Sequence, residues 1–204
     1  MPGPAGHARM APVPRRAWPK GVNVARVRHA AGLLLIFPGG AERGEPENSE
    51  KHAHIVLTVR GDTPRHAGQI SLPGGVVEPG ETFEQAALRE AHEEIALDVT
   101  NVRVLGGLTP LDIPVSGFRL YPIVAALDRR PQLMPADGEV AHILEIAIDD
   151  LLDARAVRRV DREREGIALT VPGFHVAAHE IWGATAMVLA EFLTLLGWPG
   201  PDSD

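Results

Sequence analysis

Residues 74–94 read GGVVEPGETFEQAALREAHEE, a glycine-rich turn that runs into an acidic segment. Thr82 and Gln85 form a capping-box pair, a pattern that marks the first turn of a helix. Residues that favour helix then continue to about Ile95. The segment therefore predicts a turn at the glycines followed by a helix over 82–95.

Three carboxylates lie on one side of this predicted helix. At roughly 100° per residue, Glu94 lies about 40° to one side of Glu90 and Glu93 about 60° to the other. Ala86 and Ala87 extend the same side one turn back with small side chains. The packing side is expected to consist of apolar residues elsewhere on the helix, namely Leu88, Ala91 and Ile95.

Like charges this close repel one another, at a cost of about 0.2–0.5 kcal/mol for each i,i+4 pair on an exposed helix. A divalent cation reverses the sign of that interaction. Oxygen ligands without His or Cys suit Mg²⁺ or Mn²⁺, and Mg²⁺ keeps water molecules and accepts phosphate oxygens. The pattern favours metal-assisted hydrolysis of a phosphoanhydride, although a solvated charged helix face has the same composition.

The spacing of the segment resembles the Nudix box, which reads Gly, five residues, Glu, seven residues, Arg-Glu-aliphatic, one residue, Glu-Glu, one residue, Gly-aliphatic. Six positions are in register: Gly75, Glu81, Arg89, Glu90, Glu93 and Glu94. Ala91 and Leu97 stand at aliphatic positions, and Ala96 stands where the box has its final Gly. If that position takes a left-handed conformation, alanine costs about 1 kcal/mol there; otherwise the helix continues by one residue.

The resemblance extends outside the box to the branch of coenzyme A diphosphatases. Similar segments are LTVR at 57–60, HAGQISLPGG at 66–75, GF at 117–118, PIV at 122–124 and IWGATA at 181–186. The chain departs from the branch at Leu72, where Phe is usual, and at Pro64, where Arg is usual and Arg65 follows instead. The resemblance implies an α+β fold of the Nudix type, an α/β/α sandwich around a mixed β-sheet.

The resemblance also implies roles for the acidic residues. Glu90 and Glu94 are expected to bind the metal, and Glu93 to reach a second ion or a metal-bound water. Arg89 is expected to fix a neighbouring carboxylate and belongs to the catalytic set with Glu90 and Glu93. Glu81 either lies near the same cluster or acts only as a negative charge at the helix N-terminus.

The general base is left open by the resemblance, because Nudix enzymes use either a helix glutamate or one from a later loop. Glu139 is the candidate in a loop, since Pro and Gly surround it and an apolar strand follows. Glu145, within that strand, is the second candidate. An ordinary surface carboxylate is the alternative for both.

Three arginines, Arg60, Arg65 and Arg119, are expected to contact substrate phosphates, although each also fits a surface position. His66 is expected either to bind a phosphate or to cap the glycine-rich turn. Gly74 and Gly75 are expected to let the backbone approach a ligand closely.

The rest of the chain predicts one domain over residues 23–200. Residues 1–22 are rich in Pro and Arg and predict a flexible arm, partly docked through Trp18. The predicted strands and helices are strands at 31–37, 54–60, 99–108 and 118–127, an apolar run at 140–148, a helix at 149–157, a strand pair at 166–178 and a helix at 181–196.

Composition excludes several classes of protein. The 204 residues carry a formal charge of −7, which argues against a nucleic-acid partner. There is no cysteine, so disulfides and thiolate metal sites are excluded. No apolar run approaches the roughly 20 residues that span a bilayer, so a cytoplasmic location without membrane contact is expected. A homodimer is compatible with the sequence.

The predicted function is hydrolysis of a nucleoside diphosphate linked to another moiety, with Mg²⁺ or Mn²⁺ as cofactor and a small nucleotide as substrate. The resemblance favours coenzyme A, cut to 3′,5′-ADP and 4′-phosphopantetheine. The alternatives are a Nudix hydrolase of ADP-ribose or a related dinucleotide, and a non-catalytic nucleotide-binding module of the same fold.

Overall fold

A mixed β-sheet lies at the centre of the protein. The computed structural model describes residues 2–23, 26–39, 52–61, 68–164 and 166–201. In chain order the elements are α1 (Pro4–Ala8), β1 (Arg28–Pro38), β2 (Ala53–Arg60), β3 (Ile70–Ser71), β4 (Gly74–Val76), α2 (Phe83–Ile95), β5 (Arg103–Gly107), β6 (Leu111–Ile113), β7 (Phe118–Ala126), β8 (Val140–Ala147), α3 (Ile148–Leu152), β9 (Val157–Arg164), β10 (Ile167–Val176), β11 (His179–Trp182) and α4 (Ala184–Leu195).

Strand β1 is central because its apolar run AGLLLIF is buried on both faces. The large sheet has the order β3-β2-β1-β7-β5, and β4, β6 and β8 pair with β1, β7 and β2 respectively. The pairing of β1 with β7 is parallel and the other pairings are antiparallel. Ala31 lies opposite Gly75 on one side and Tyr121 on the other. This register places the glycine turn directly beside the central strand.

Two hydrophobic clusters cover the two faces of the sheet. Alternate β1 residues, Leu33 and Leu35, pack under α2, whereas Leu34 belongs to the cluster that contains α4. The expected α+β fold, a mixed sheet between helices, is confirmed. None of the helices in the described part of the chain is long and apolar enough to cross a membrane.

The prediction was wrong in the region after α3. The predicted helix over 149–157 ends at Leu152, and the predicted strand pair is a three-stranded sheet of β9, β10 and β11. Strand β9 reads VRRVDRER, whose charges hide its strand character from a hydrophobicity pattern. It is held by backbone pairing to β10 and by an ion pair of 2.6 Å between Arg162 and Glu180 of β11. The last helix begins at Ala184, three residues later than predicted.

Residues 2–11, in the first half of the expected N-terminal arm, pack on the domain in the structure. Helix α1 packs so closely on α4 that a Cβ at Gly6 would stand 2.9 Å from the Cα of Glu191. The buried carboxylate of Glu191 contacts His7 Nε2 at 2.9 Å and accepts the N–H of Gly3 at 3.1 Å. Met10 is fully buried. No local pattern indicates this docking, because the partner lies 188 residues away along the chain.

Candidate active site

Helix α2 begins as the sequence predicts. The Thr82 hydroxyl accepts the Gln85 N–H at 3.2 Å, and the Gln85 side chain accepts the Thr82 N–H at 2.9 Å. This reciprocal capping box satisfies two N–H groups that the helix leaves unpaired at its start. It fixes the first turn from which the carboxylates are projected.

The packing side of α2 is wider than predicted. Ala91 and Ile95 are buried as expected, and Leu88 is half-buried. Ala86 and Ala87, which share the side of the carboxylates, are also fully buried. The acidic side of the helix therefore faces partly into the protein rather than into solvent.

The glycine turn meets this acidic side directly. The Gly74 N–H donates to Glu94 Oε2 at 3.0 Å. A Cβ at Gly74 would collide with the carbonyl of Ala31, and one at Gly75 would lie 2.5 Å from the carboxylate of Glu90. Glycine is required at both positions because β4 lies between the central strand and the helix with no room for a side chain.

Arg89 connects the helix to the turn that precedes it. Its Nε donates to Glu81 at 2.7 Å, and its Nη1 donates to Glu90 and Glu93, both at 3.0 Å. Its Nη2 donates to the Val76 carbonyl at 3.0 Å and to Glu81 at 3.1 Å. The guanidinium holds the pKa of Glu81 below its usual range. Arg89 thus holds neighbouring carboxylates, and Glu81 anchors Arg89.

Two carboxyl groups resist ionisation in this site. Burial raises the pKa of Glu94 to about 7, with the charges of Glu139 and Glu90 adding to the effect and Arg60 opposing it. Burial also raises the pKa of Glu90, and Glu93 and Glu139 contribute by repulsion. Burial, with a smaller contribution from repulsion between carboxylates, therefore disfavours the charged form of both groups.

The donor chemistry of these residues fits a hard divalent cation, since every candidate ligand is a carboxylate oxygen. Within the described ranges, however, no three His, Cys, Asp or Glu side chains already form a group that could hold an ion. Arg89 instead binds both Glu90 and Glu93. The Glu93 carboxylate is 55% exposed and Glu139 is exposed, so both have space to turn.

The loop candidate for the base, Glu139, raises the pKa of both Glu90 and Glu94 by repulsion, and the strand candidate, Glu145, lies opposite Val56 in the pairing of β2 with β8. The Gly61 N–H donates to the Glu139 carbonyl at 2.8 Å, which places that loop beside the end of β2. Arg60, at that end, has a buried Nε with no hydrogen-bond partner among the described residues. Glu145 instead pairs with Arg130 at 2.9 Å. The predicted roles of Arg60 and Glu139 stay predictions.

Arg119 lies on the β6–β7 hairpin and is already paired. Its Nε and Nη2 donate to the two carboxylate oxygens of Asp112 at 2.7 and 3.3 Å. Its predicted contact with a substrate phosphate would compete with that pair. The other two predicted phosphate contacts, Arg65 and His66, lie outside the described residues.

An aromatic cluster that the sequence spacing does not reveal lies at the start of α2. Phe83 stacks on Tyr121 with ring centroids 3.6 Å apart and planes 8° apart, and His29 packs against both rings. Capping patterns identify Phe83 as the first helical residue, but only the register of β1 and β7 brings the three rings together. The cluster fixes the N-terminal end of α2 on the sheet.

The end of α2 settles the question at Ala96. This residue takes a left-handed conformation, with φ of 53° and ψ of 33°, and ends the helix. The chain therefore uses alanine where the Nudix box uses glycine, at a cost of about 1 kcal/mol. The departure affects the exit of the helix and leaves the carboxylates in register.

Comparisons with known proteins identify the family of this chain. The NUDIX domain family matches residues 46–164. The uncharacterized Nudix hydrolase NudL of Photorhabdus laumondii is 36% identical over 164 residues, which cover 79% of this chain and 81% of that protein. The protein of the same name from Pectobacterium atrosepticum is 35% identical over 137 residues, 66% of this chain and 71% of the relative.

A solved structure shows the same fold. The Nudix hydrolase RenU of M. smegmatis superposes with a TM-score of 0.57, at 19% identity, covering 87% of this chain and 91% of that one. The family match spans more than half of the chain, and more than a third of the aligned residues are identical in these relatives. This protein therefore belongs to the Nudix family and is a hydrolase that acts on diphosphate bonds.

Proposed function

We propose that this Nudix hydrolase cleaves the diphosphate of coenzyme A or its derivatives, giving 3′,5′-ADP and 4′-phosphopantetheine. The choice of substrate rests on the sequence segments that resemble coenzyme A diphosphatases, chiefly those at 57–60, 66–75 and 181–186. The first of these segments is the end of β2, and the second ends in the glycine turn beside the acidic helix α2. The third forms the end of β11 and the start of α4, which packs against β3.

The observation that carries the proposed hydrolysis is the pair of carboxylates beneath the glycine turn, of which Glu94 is buried and Glu90 is partly buried. Glu90 and Glu94 both have a raised pKa, and Glu139 acts on both. We propose that these carboxylates, with Glu93, hold Mg²⁺ or Mn²⁺. A divalent cation bound there supplies positive charge to the diphosphate oxygens and makes a water molecule more acidic.

The protein's own residues perform the other parts of the reaction. Gly74 holds the Glu94 carboxylate through its N–H, and Arg89 holds those of Glu90 and Glu93. Arg60, with its unpartnered Nε, is proposed to bind a substrate phosphate oxygen. Glu139, exposed at the end of its loop, is proposed to take the proton from the attacking water at a carboxylate oxygen.

A substrate panel tests the proposal. Initial rates on coenzyme A, ADP-ribose and NADH are compared in Mg²⁺ and in Mn²⁺, with the products identified by mass. Preferred release of 3′,5′-ADP and 4′-phosphopantetheine from coenzyme A is the expected result. Preferred turnover of ADP-ribose would contradict the choice of substrate, and nucleotide binding without any metal-dependent turnover would contradict hydrolysis.

A variant tests the carboxylates themselves. Glu90→Gln is expected to lower kcat by about 10²-fold or more with folding retained, because it removes a charged oxygen from the site. Glu84→Gln, an exposed change in the first turn of the same helix, is the matched control and should keep normal activity. Near-normal activity of Glu90→Gln would remove Glu90 from the proposed site.

A further inference from the structure

The glycine turn is reached through a very short strand at the edge of the sheet. Strand β3 consists of Ile70 and Ser71, and it is the last strand in the sheet order. It pairs with β2 through Val59 and Thr58. The Gln69 carbonyl and the Gly68 N–H continue this pairing with the backbone of Arg60, both at 3.0 Å. Among the described residues, no strand pairs with the other side of β3, so contacts on that side have to come from elsewhere in the fold.

Such a contact comes from the hydroxyl of Thr185, in the first turn of α4. Thr185 Oγ1 donates to the Ile70 carbonyl at 2.9 Å, across 115 positions of sequence. Both residues are 6% exposed, so water has little access to this carbonyl. A hydroxyl at this position satisfies a backbone acceptor that would otherwise be buried and unpaired.

The strand that Thr185 holds leads straight into the active-site turn. Leu72, the next residue, is buried against Gly32 of the central strand. The Pro73 carbonyl then accepts the Leu33 N–H at 2.8 Å, and Gly74 follows with the N–H that binds Glu94. A displacement of Ile70 would therefore shift the backbone only four residues before the carboxylate contact.

We infer that Thr185 is a positioning residue of the active site, which fixes β3 so that the Gly74 N–H meets the Glu94 carboxylate. This inference rests on the proposed function, because it assigns Thr185 to the placement of a carboxylate that the reaction uses. Thr185 acts through Ile70 and does not touch the substrate. The inference gives the start of α4 a role in positioning the active site, although α4 and α2 lie on opposite faces of the sheet.

Thr185→Val removes the hydroxyl and keeps the shape of the side chain. It is expected to lower kcat by about 10- to 100-fold with KM changed less than about threefold, as small displacements of reacting groups do. Thr185→Ser keeps the hydroxyl and should restore kcat to within about twofold. Amide hydrogen exchange should speed up over residues 70–76 in Thr185→Val, and this measurement needs no substrate.

Thr194→Val is the matched control on the same helix. Its hydroxyl donates to the Ala190 carbonyl at 2.7 Å and does not reach β3, so exchange over 70–76 and kcat should be unchanged. All variants are compared at a temperature at which urea titration shows them folded. If Thr185→Val does not fold, Thr185→Ala takes its place, and failure of both to fold overturns the inference.

Two further outcomes separate this inference from the proposed function. Unchanged kcat and unchanged exchange in Thr185→Val, in a wild-type enzyme that hydrolyses its substrate, overturn the inference and leave the function standing. If the wild type shows no metal-dependent hydrolysis, the proposed function is overturned. If amide exchange over residues 70–76 is nevertheless faster in Thr185→Val and in none of the control variants, the positioning of β3 by Thr185 is supported.

Discussion

Glu94→Gln is expected to make the metal-free protein more stable at pH 8 while it damages the active site. The variant keeps an oxygen that can accept the Gly74 N–H and removes only the charge. In the wild type, burial and the charges of Glu139 and Glu90 oppose ionisation of this carboxyl. The glutamine amide at this position does not ionise, so burial and the neighbouring charges do not destabilise it in this way.

The magnitude follows from the pKa of Glu94, which rises from its ordinary 4.5 to about 7 on folding. A raised pKa in the folded state means that the folded protein binds more protons than the unfolded chain between these values. The contribution of Glu94 to stability is therefore favourable below pH 4.5 and is lost as the pH rises through 7. Because one pKa unit corresponds to about 1.36 kcal/mol, this rise corresponds to about 3 kcal/mol, which is the upper limit of the stability that Glu94→Gln should gain at pH 8.

Urea unfolding in the presence of a chelator measures this gain. The two proteins are compared at pH 8 and at pH 4.5, where the difference should nearly vanish. Glu84→Gln is the control, since this exposed carboxylate in the same helix should change stability by less than about 0.5 kcal/mol. Addition of Mg²⁺ should then stabilise the wild type more than Glu94→Gln.

Two results would refute this reasoning. If Glu94→Gln is no more stable than the wild type at pH 8, burial and neighbouring charge do not oppose ionisation of the Glu94 carboxyl group. If the gain is the same at both pH values, its cause is not ionisation.

Two further variants test other parts of the fold. Ala96→Gly should raise the free energy of unfolding by about 1 kcal/mol, because glycine takes the left-handed conformation without strain. Ala141→Gly in strand β8 is the control and should be destabilising. Equal effects of the two changes in urea unfolding would contradict the explanation. His7 has a pKa lowered by burial, so its contribution to stability is present above pH 6.5 and is lost as the pH falls below that value. His7→Gln should therefore lose less stability than the wild type between pH 7 and 5, a difference of at most about 1.4 kcal/mol per pH unit, and parallel urea-unfolding curves would rule this out.

The parts of the fold that local patterns specify were predictable from the sequence. The capping box at Thr82, the run of helix formers after it and the apolar strand around Leu34 all depend on residues a few positions apart. The position of Arg89 among the carboxylates also follows from helical spacing. These features need no knowledge of the rest of the chain.

Other features depend on contacts between distant parts of the chain. A helical wheel cannot show that Glu94 is buried, because the burying surface is the glycine turn on a neighbouring strand. The pairing of Arg119 with Asp112 depends on the register of β6 and β7. Strand β9 escapes a hydrophobicity pattern because charged residues fill most of it. Tertiary packing decides each of these cases.

The contacts of Arg89 use every N–H that its guanidinium has. The group carries five donors, and five hydrogen bonds run from it to Glu81, Glu90, Glu93 and the Val76 carbonyl. A phosphate could recruit this arginine only by displacing one of those acceptors. Lysine has three donors on a single nitrogen and could not make the five contacts of the planar guanidinium. The Arg89 side chain therefore has a structural role within the site, and the binding of substrate anions is left to other cationic residues.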